Sequence, residues 1–225
     1  MGKDVYRVTV DGRFLNAPPA EFHKRYAGAF CYSKVSVDDV GSVRSLEDKG
    51  FRLVDTNVVY EKKVGPKAID LKDAVVRLAR GQDKEKVKAL AGRCFHYSRF
   101  HLDPAIPPDI AHRIKAEWAG NFFEGRRGQV MIVTQKGNDI VGFLQLLDDR
   151  KGTLTIDLLG VDENCRRQGL AAGMISYAQT QPARAVKIRV GTQLANIPSI
   201  HCYEQLGFCH TDASYVFHYH GRPRT

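Results

Sequence analysis

Short apolar-rich runs separated by turn residues open the chain. Val5–Val10, Ala29–Val35 and Phe51–Glu61 read as strands joined by turns. Lys63-Val-Gly-Pro-Lys67 then interrupts regular structure. This predicts a junction between a smaller N-terminal domain, residues 1–67, and a main domain, residues 68–225. Past the junction Ala74–Leu78 reads as a buried strand. Asp83 is placed to cap a helix with Val87, Leu90, Ala91 and Cys94 at i, i+3, i+4 and i+7. The stretch Phe95–Pro104 is aromatic and polar without a period and reads as a loop. A second helix follows from Pro108 to Phe123, with Ile110, Ile114, Trp118 and Phe122 on one stripe. Gln129–Gln135 and Ile140–Leu147 form a hairpin across Lys136-Gly-Asn-Asp139, and Thr153–Val161 alternates as a central strand. Gln168–Gln179 is a helix, Val186–Val190 a strand, and a helix starting near Pro198 ends at Gly207 before a last strand, Tyr215–His220.

The junction between the central strand and the helix after it is the most informative stretch. Val161-Asp-Glu-Asn-Cys-Arg166-Arg167-Gln168-Gly169-Leu170-Ala171-Ala172 runs from a β-branched strand through a charged loop into a small-residue helix start. Such a segment suits a phosphate. Small residues allow close backbone approach, amide N–H groups point outward, and the helix terminus adds partial positive charge. No Gly-Lys-Ser/Thr follows, and three glycines in dinucleotide spacing are absent. The predicted phosphate donors are the backbone N–H groups of Gln168, Gly169, Leu170, Ala171 and Ala172, with Arg166 and Arg167 adding charge.

An internal echo links the two ends of the chain. Leu46-Glu-Asp-Lys-Gly50-Phe51, followed by Asp55 and Val59, lines up with Tyr203-Glu-Gln-Leu-Gly207-Phe208, followed by Asp212 and Val216. The N-terminal segment thus reads as a degenerate copy of the C-terminal helix–Gly–Phe–strand unit, without a phosphate loop.

Bulk properties narrow the function. The hydrophobic fraction of 43% supports a real core, and no apolar run reaches the length of a membrane span. The first residues lack the apolar stretch of a signal peptide, and Tyr6 stands where myristoylation wants Ser or Thr. Five scattered cysteines without a Cys-x-x-Cys pair suit a reducing compartment, so a cytoplasmic protein is expected. His218 and His220 share one strand face, but no zinc spacing occurs and no metal is expected. The net charge of +9 is dispersed. A phosphate-rich small ligand explains it as well as nucleic acid, for which no helix-turn-helix or zinc-finger pattern exists.

The element order from residue 70 on and the Arg166-Arg167-Gln168-Gly169-Leu170-Ala171 loop resemble the GCN5-related N-acetyltransferases, a mixed-sheet α/β fold. Asn196-Ile-Pro-Ser-Ile-His-Cys-Tyr203-Glu-Gln-Leu-Gly207-Phe208 resembles that family's Asn…Tyr-x-x-x-Gly-Phe pattern. The resemblance implies acetyl-CoA as co-substrate. It implies a splay between the central strand and Ile188–Val190 that admits the pantetheine arm, with Leu159 and Val161 as backbone contacts. It assigns Asn196 to the pantetheine amide and Tyr203 to the acid that protonates the leaving thiolate. Asp157, placed by alternation on the face of Val161, is the candidate base through a water.

Within that family, Phe95-x-x-Ser98-Arg99-Phe100, a helix with Trp118, and Thr192-Gln193-Leu194-Ala195-Asn196 are similar to the nucleotide-sugar N-acetyltransferases of the dTDP-fucosamine (dTDP-4-amino-4,6-dideoxygalactose) type. This implies transfer of acetyl to the amine of a nucleotide-linked amino sugar, with Arg99 and Asp103 contacting substrate. It also implies a degenerate N-terminal domain before the catalytic one. The open alternatives are an acetyltransferase acting on a non-nucleotide amine and a non-catalytic acyl-CoA-binding protein. Exposed strand edges suggest a homodimer.

Overall fold

A computed structural model describes residues 4–65, 71, 73–180 and 185–223. It is a mixed α/β fold in which nine strands form one sheet. In chain order the elements are β1 (Val5–Arg7), α1 (Gly12–Asn16), α2 (Pro19–Arg25), β2 (Phe30–Ser36), α3 (Val40–Asp48), β3 (Arg52–Lys63), β4 (Val75–Leu78), α4 (Lys84–Cys94), α5 (Pro108–Phe123), β5 (Val130–Lys136), β6 (Asp139–Asp148), β7 (Thr153–Val161), α6 (Leu170–Ala178), β8 (Lys187–Gln193), α7 (Ile197–Gln205) and β9 (Cys209–His220). The sheet order is β1-β2-β9-β3-β8-β7-β6-β5-β4.

From β4 on, every predicted element is present in the predicted order. Two details differ. β4 is an edge strand paired only with β5, so Val75 and Leu78 are 63% and 45% exposed rather than buried. Asp83 does not cap α4 through its side chain. It instead accepts two hydrogen bonds from the Arg77 guanidinium and one from the Arg80 N–H.

The N-terminal third departs further from expectation, because α1 and α2 lie where turns were expected; with α3, which the echo implies before Gly50, they make three helices. Two of them start on aspartate caps. Asp11 accepts from the Phe14 N–H at 2.8 Å, and Asp39 accepts from the Ser42 N–H at 3.0 Å. The sheet also runs across the expected domain junction, whose residues 66 and 67 lie outside the described ones. β3 leaves the N-terminal segment and inserts between β8 and β9, so the two parts of the chain share one sheet. Each keeps a core of its own. Phe14, Phe22, Leu46 and Phe51 pack with Phe217 and Tyr219 of β9, while Leu154, Ile156, Met174, Ile188, Tyr203 and Phe208 form the other.

The internal echo has a geometric counterpart. Gly50 and Gly207 both take φ +80°, in the left-handed region that glycine tolerates. The Phe51 N–H donates to the Leu46 carbonyl at 3.0 Å, and the Phe208 N–H to the Tyr203 carbonyl at 3.0 Å. Matching Leu46 to Tyr203 makes Asn57 the counterpart of Ser214, and these two residues face each other in the β3–β9 ladder. The pairs Asp55–Val216 and Val59–Asp212 exchange under the same match. So do the two bulges, which leave Val54 and Thr211 out of register. A local two-fold axis therefore passes through the middle of β3 and β9. It exchanges β2-α3-β3 with β8-α7-β9.

Helices cover both faces of the sheet. α4, α5 and the loop before α5 lie on one face, through Leu90, Ala91 and Ala119 against Met131, Val133, Phe143 and Leu158. α6 packs on the other through Met174, Ile175 and Ala178. Gly160 of β7 is wedged against the first layer. A Cβ there would lie 2.5 Å from Phe143 Cε1 and 2.7 Å from Cys94 Sγ. Gly160→Ala is expected to cost about 1–3 kcal/mol by overpacking. Urea unfolding of the variant would show this as a lower midpoint at unchanged slope, and an unchanged midpoint would refute it.

Candidate active site

β7 and β8 are parallel and pair only from Thr153–Lys187 to Ile156–Val190. Beyond that point they separate, which opens the expected cleft in the middle of the sheet. Asp157 begins the separation as a bulge, since Gln145 pairs with Leu158 and Leu146 with Ile156. Past the bulge, the Asp162 N–H donates to the Val141 carbonyl on β6 at 2.9 Å. N–H groups alternate sides along a strand, so those of Leu159 and Val161 point away from β6 into the cleft. This is the orientation expected of backbone contacts to a thioester.

At the cleft's mouth the loop after β7 enters α6. Gly169 is the cap residue at φ +77°, and Arg167 also has a positive φ of +61°. The first amides of α6 precede its internal hydrogen bonding, which begins with the Gly173 N–H on the Gly169 carbonyl at 2.9 Å. The two arginines divide. Arg166 is tied down by its Nη2, which donates to the Cys94 carbonyl at 3.0 Å. Arg167 is exposed, with no hydrogen bond or ion pair among the described residues. Gln168 accepts from Lys136 Nζ, which brings another cation to the loop. A cavity lined by Lys62, Ala172, Ile175, Ser176, Gln179, Gln205 and Leu206 lies between α6, α7 and β3, beside the end of β8 that is still paired with β7.

Asn196 caps α7, accepting from the Ser199 N–H at 3.4 Å and donating to Thr192 Oγ1 at 3.3 Å. Tyr203, about two turns along, is 4% exposed and packs on Phe208 with ring centroids 5.6 Å apart. Burial pushes its phenol pKa up, so it stays protonated.

The other side of the cleft holds a cluster of charged side chains under α5. Asp157 lies here. The bulge turns it toward Trp118 of α5, whereas Leu159 and Val161 pack on the α6 side. Alternation without a bulge had placed it with Val161. Its carboxylate accepts from Arg127 Nε at 2.7 Å, Arg127 Nη2 at 2.6 Å, Trp118 Nε1 at 2.9 Å and Gln145 Nε2 at 3.1 Å. A carboxylate with four donors is an anchor for its neighbours, and its geometry disfavours the expected role as base.

Lys115 is 8% exposed, with its Nζ 4.8 Å from the Trp118 ring centroid and 4.9 Å from that of Phe95. Burial lowers its pKa to about 8, against the attraction of Asp157. Arg99 stacks over Tyr32 at 4.0 Å and Phe100 at 4.7 Å. Asp55 of β3 and Lys34 of β2 complete the floor.

Asp103 stands elsewhere than expected. It is 4% exposed and accepts from His218 Nδ1 at 2.6 Å, His220 Nε2 at 2.8 Å and the Ala105 N–H at 2.9 Å. It holds the loop before α5 onto β9, and its buried position withdraws it from substrate. Asp103, His218 and His220 are the described group nearest to a metal set. The Asp103 carboxylate already accepts from both histidines, while His218 Nε2 has no partner among the described residues.

The acetyltransferase (GNAT) family model matches residues 86–208, more than half of the chain. The chain belongs to the GNAT acetyltransferase family. The match spans the GNAT loop at Arg166–Ala172, both faces of the cleft and Tyr203. A curated relative, the spore coat polysaccharide biosynthesis protein SpsD of Bacillus subtilis (strain 168), is 34% identical over 140 residues, covering 60% of this chain and 47% of that protein. This chain thus spans about half the length of that relative. Among solved structures, a GCN5-related N-acetyltransferase from Sphaerobacter thermophilus overlays with a TM-score of 0.63 at 14% identity, covering 89% of this chain and 62% of that one. A tandem GNAT protein from the clavulanic acid biosynthesis pathway overlays with a TM-score of 0.67 at 10% identity, covering 100% of this chain and 77% of the other. At these identities the likeness is one of fold. Among the described residues no helix is long and apolar enough to cross a membrane.

The sequence pattern missed Lys115, Arg127 and Asp55 as members of this GNAT site. Lys115 carries a legible signal, since it stands at i+4 between Ala111 and Ala119 on the buried row of α5. The predicted stripe of Ile110, Ile114, Trp118 and Phe122 is only half-buried. Arg127 and Asp55 gave no local sign, because their setting depends on distant strands.

Proposed function

We propose that the protein transfers acetyl from acetyl-CoA to the amine of a nucleotide-linked amino sugar. The observation that carries the acceptor class is the charge under α5. Arg127 and Asp157 neutralise each other, leaving Arg99, Lys115 and Lys34 against Asp55 and Asp212 among the described residues. A cleft with this excess and two aromatic rings suits a diphosphate-linked sugar better than a cationic amine. The name of the Bacillus relative, which places it in polysaccharide biosynthesis, points the same way.

In this reading the α6 terminus and Arg167 hold the pyrophosphate of the donor. The pantetheine arm enters at the splay, near Asn196. The Leu159 and Val161 N–H groups polarise the thioester carbonyl, the amine attacks from the α5 side, and the departing thiolate receives a proton from Tyr203. Loss of one charge-assisted contact costs about 1.5–3 kcal/mol, or roughly 10- to 100-fold in affinity.

Arg99→Ala and Lys115→Ala are each expected to raise KM for the acceptor by that order and to weaken its salt dependence, with KM for acetyl-CoA unchanged. Free-thiol release with acetyl-CoA and a panel of nucleotide-linked and free amino sugars measures this. Equal turnover of free and nucleotide-linked sugars would refute the acceptor class.

A further inference from the structure

Asp55 is the group in the cleft that the donor and anchoring roles leave unused. The bulge at Val54 decides where it points. Leu53 pairs with Phe217, which faces the α3 layer, but Asp55 pairs with Val216 and so faces the side of His218, Phe100 and α5. Asp55 is 7% exposed, and its Oδ2 is buried without a hydrogen-bond partner among the described residues. Burying a carboxylate oxygen unpaired is costly and is seldom kept without a use.

Its neighbours place it at the splay. Gln193 of β8, whose side chain faces Asp55, lies beyond the last β7–β8 pair, Ile156–Val190. The charged groups facing Asp55 are Lys34 of β2 and Arg99 of the loop before α5, with Arg7 of β1 behind them. Val216, across from it on β9, is apolar, and His218 follows two residues on.

We propose that Asp55 is the general base of the acetyl transfer, receiving the proton of the incoming ammonium at its carboxylate. This rests on the acetyltransferase reading but not on the identity of the acceptor. The ammonium N–H bond breaks to give the carboxylic acid and a free amine. The amine nitrogen forms its bond to the thioester carbon, and the C–S bond then breaks. The second proton lost by nitrogen goes to the thiolate, through Tyr203. Asp55 returns its proton to water after product leaves. Burial raises the Asp55 pKa to about 6, opposed by Gln193, the Thr56 N–H, Lys34 and Arg99. A carboxylate titrating there is ionised at neutral pH and is a stronger base than an ordinary one. β3 reaches this place only because it inserts between β8 and β9, so the N-terminal copy would supply a catalytic residue to the C-terminal one.

The test compares Asp55→Asn and Asp55→Glu with the wild type, using whichever amine the panel shows to be turned over best. Asp55→Asn is expected to lower kcat/KM about 10²- to 10³-fold and to abolish the acidic limb of the pH profile near 6. Its Tm at pH 7 should hold or rise, because a buried carboxylate whose Oδ2 has no hydrogen-bond partner among the described residues is gone. Asp55→Glu should recover part of the rate. An Asp55→Asn enzyme that retains the limb, or that loses less than threefold in rate, overturns the proposal. So does a rate loss accompanied by a fall in Tm and no change in the limb, the pattern of a structural residue. If only non-nucleotide amines are turned over, the sugar reading fails, and these outcomes still decide the role of Asp55.

Discussion

Tyr203→Phe is expected to lower the rate of acetyl transfer by about 10²-fold or more, within the range of a general acid, with KM for acetyl-CoA little changed. The phenol is buried beside Phe208 and its pKa is raised, so it remains a neutral donor at every working pH. The leaving thiolate is a weaker base than a phenolate, with reference values of about 8.5 and 10. The phenol therefore acts as the C–S bond breaks, donating into the charge that develops on sulfur. Removing one hydroxyl from the core leaves the ring packing in place, so the variant should fold. Steady-state thiol release is the measurement. A loss below about threefold would assign the ring to packing alone, as its place in the core with Leu154 and Ile188 would permit.

The second large effect is on stability. Asp103→Ala is expected to destabilise the fold by about 3–5 kcal/mol, the usual cost of removing one partner of a buried charged set. The aspartate is the hub for His218, which is 1% exposed, for His220 and for the Ala105 N–H. Without it, His218 loses its one partner, because its Nε2 already has none among the described residues. The loop that carries Arg99 loses its tie to β9 at the same time.

The same knot sets the response to acid. Hydrogen bonds from both histidines hold the Asp103 pKa down to about 2, overcoming the opposite push of burial. Its stabilisation is present above the ordinary carboxylate range and is lost as pH falls toward 2. Burial lowers the His218 pKa, so the unfolded chain takes up that proton first and stability falls as pH drops below about 6.5. Asp55 acts in the opposite sense, since its raised pKa favours the fold as pH falls through about 6. Thermal unfolding of wild type and Asp103→Ala from pH 7 to 3 measures the knot. The two curves should converge toward the acid end. A Tm difference independent of pH would show that the ionisation of Asp103 does not contribute.

The sequence by itself determined the elements of residues 70–220, their order and the position of the turn before α6. These are local matters. Helical spacing in Val87, Leu90, Ala91 and Cys94, the turn at Gly169 and the stop at Gly207 each express a preference of a few neighbouring residues, which distant contacts did not overrule. The repeat of Leu46–Val59 in Tyr203–Val216 was legible for the same reason.

Only the tertiary structure decided what those elements bring together. A single bulge at Asp157 turned a side chain from one face of the sheet to the other, and a bulge at Val54 did the same for Asp55. One extra residue in a strand reverses an alternation of period two, and nothing in the residue types announces it. The insertion of β3 between β8 and β9, the meeting of Asp103 with two histidines more than a hundred residues away, and the cations gathered beneath α5 all depend on non-local strand pairing. Such pairing is a property of the assembled sheet rather than of any segment within it.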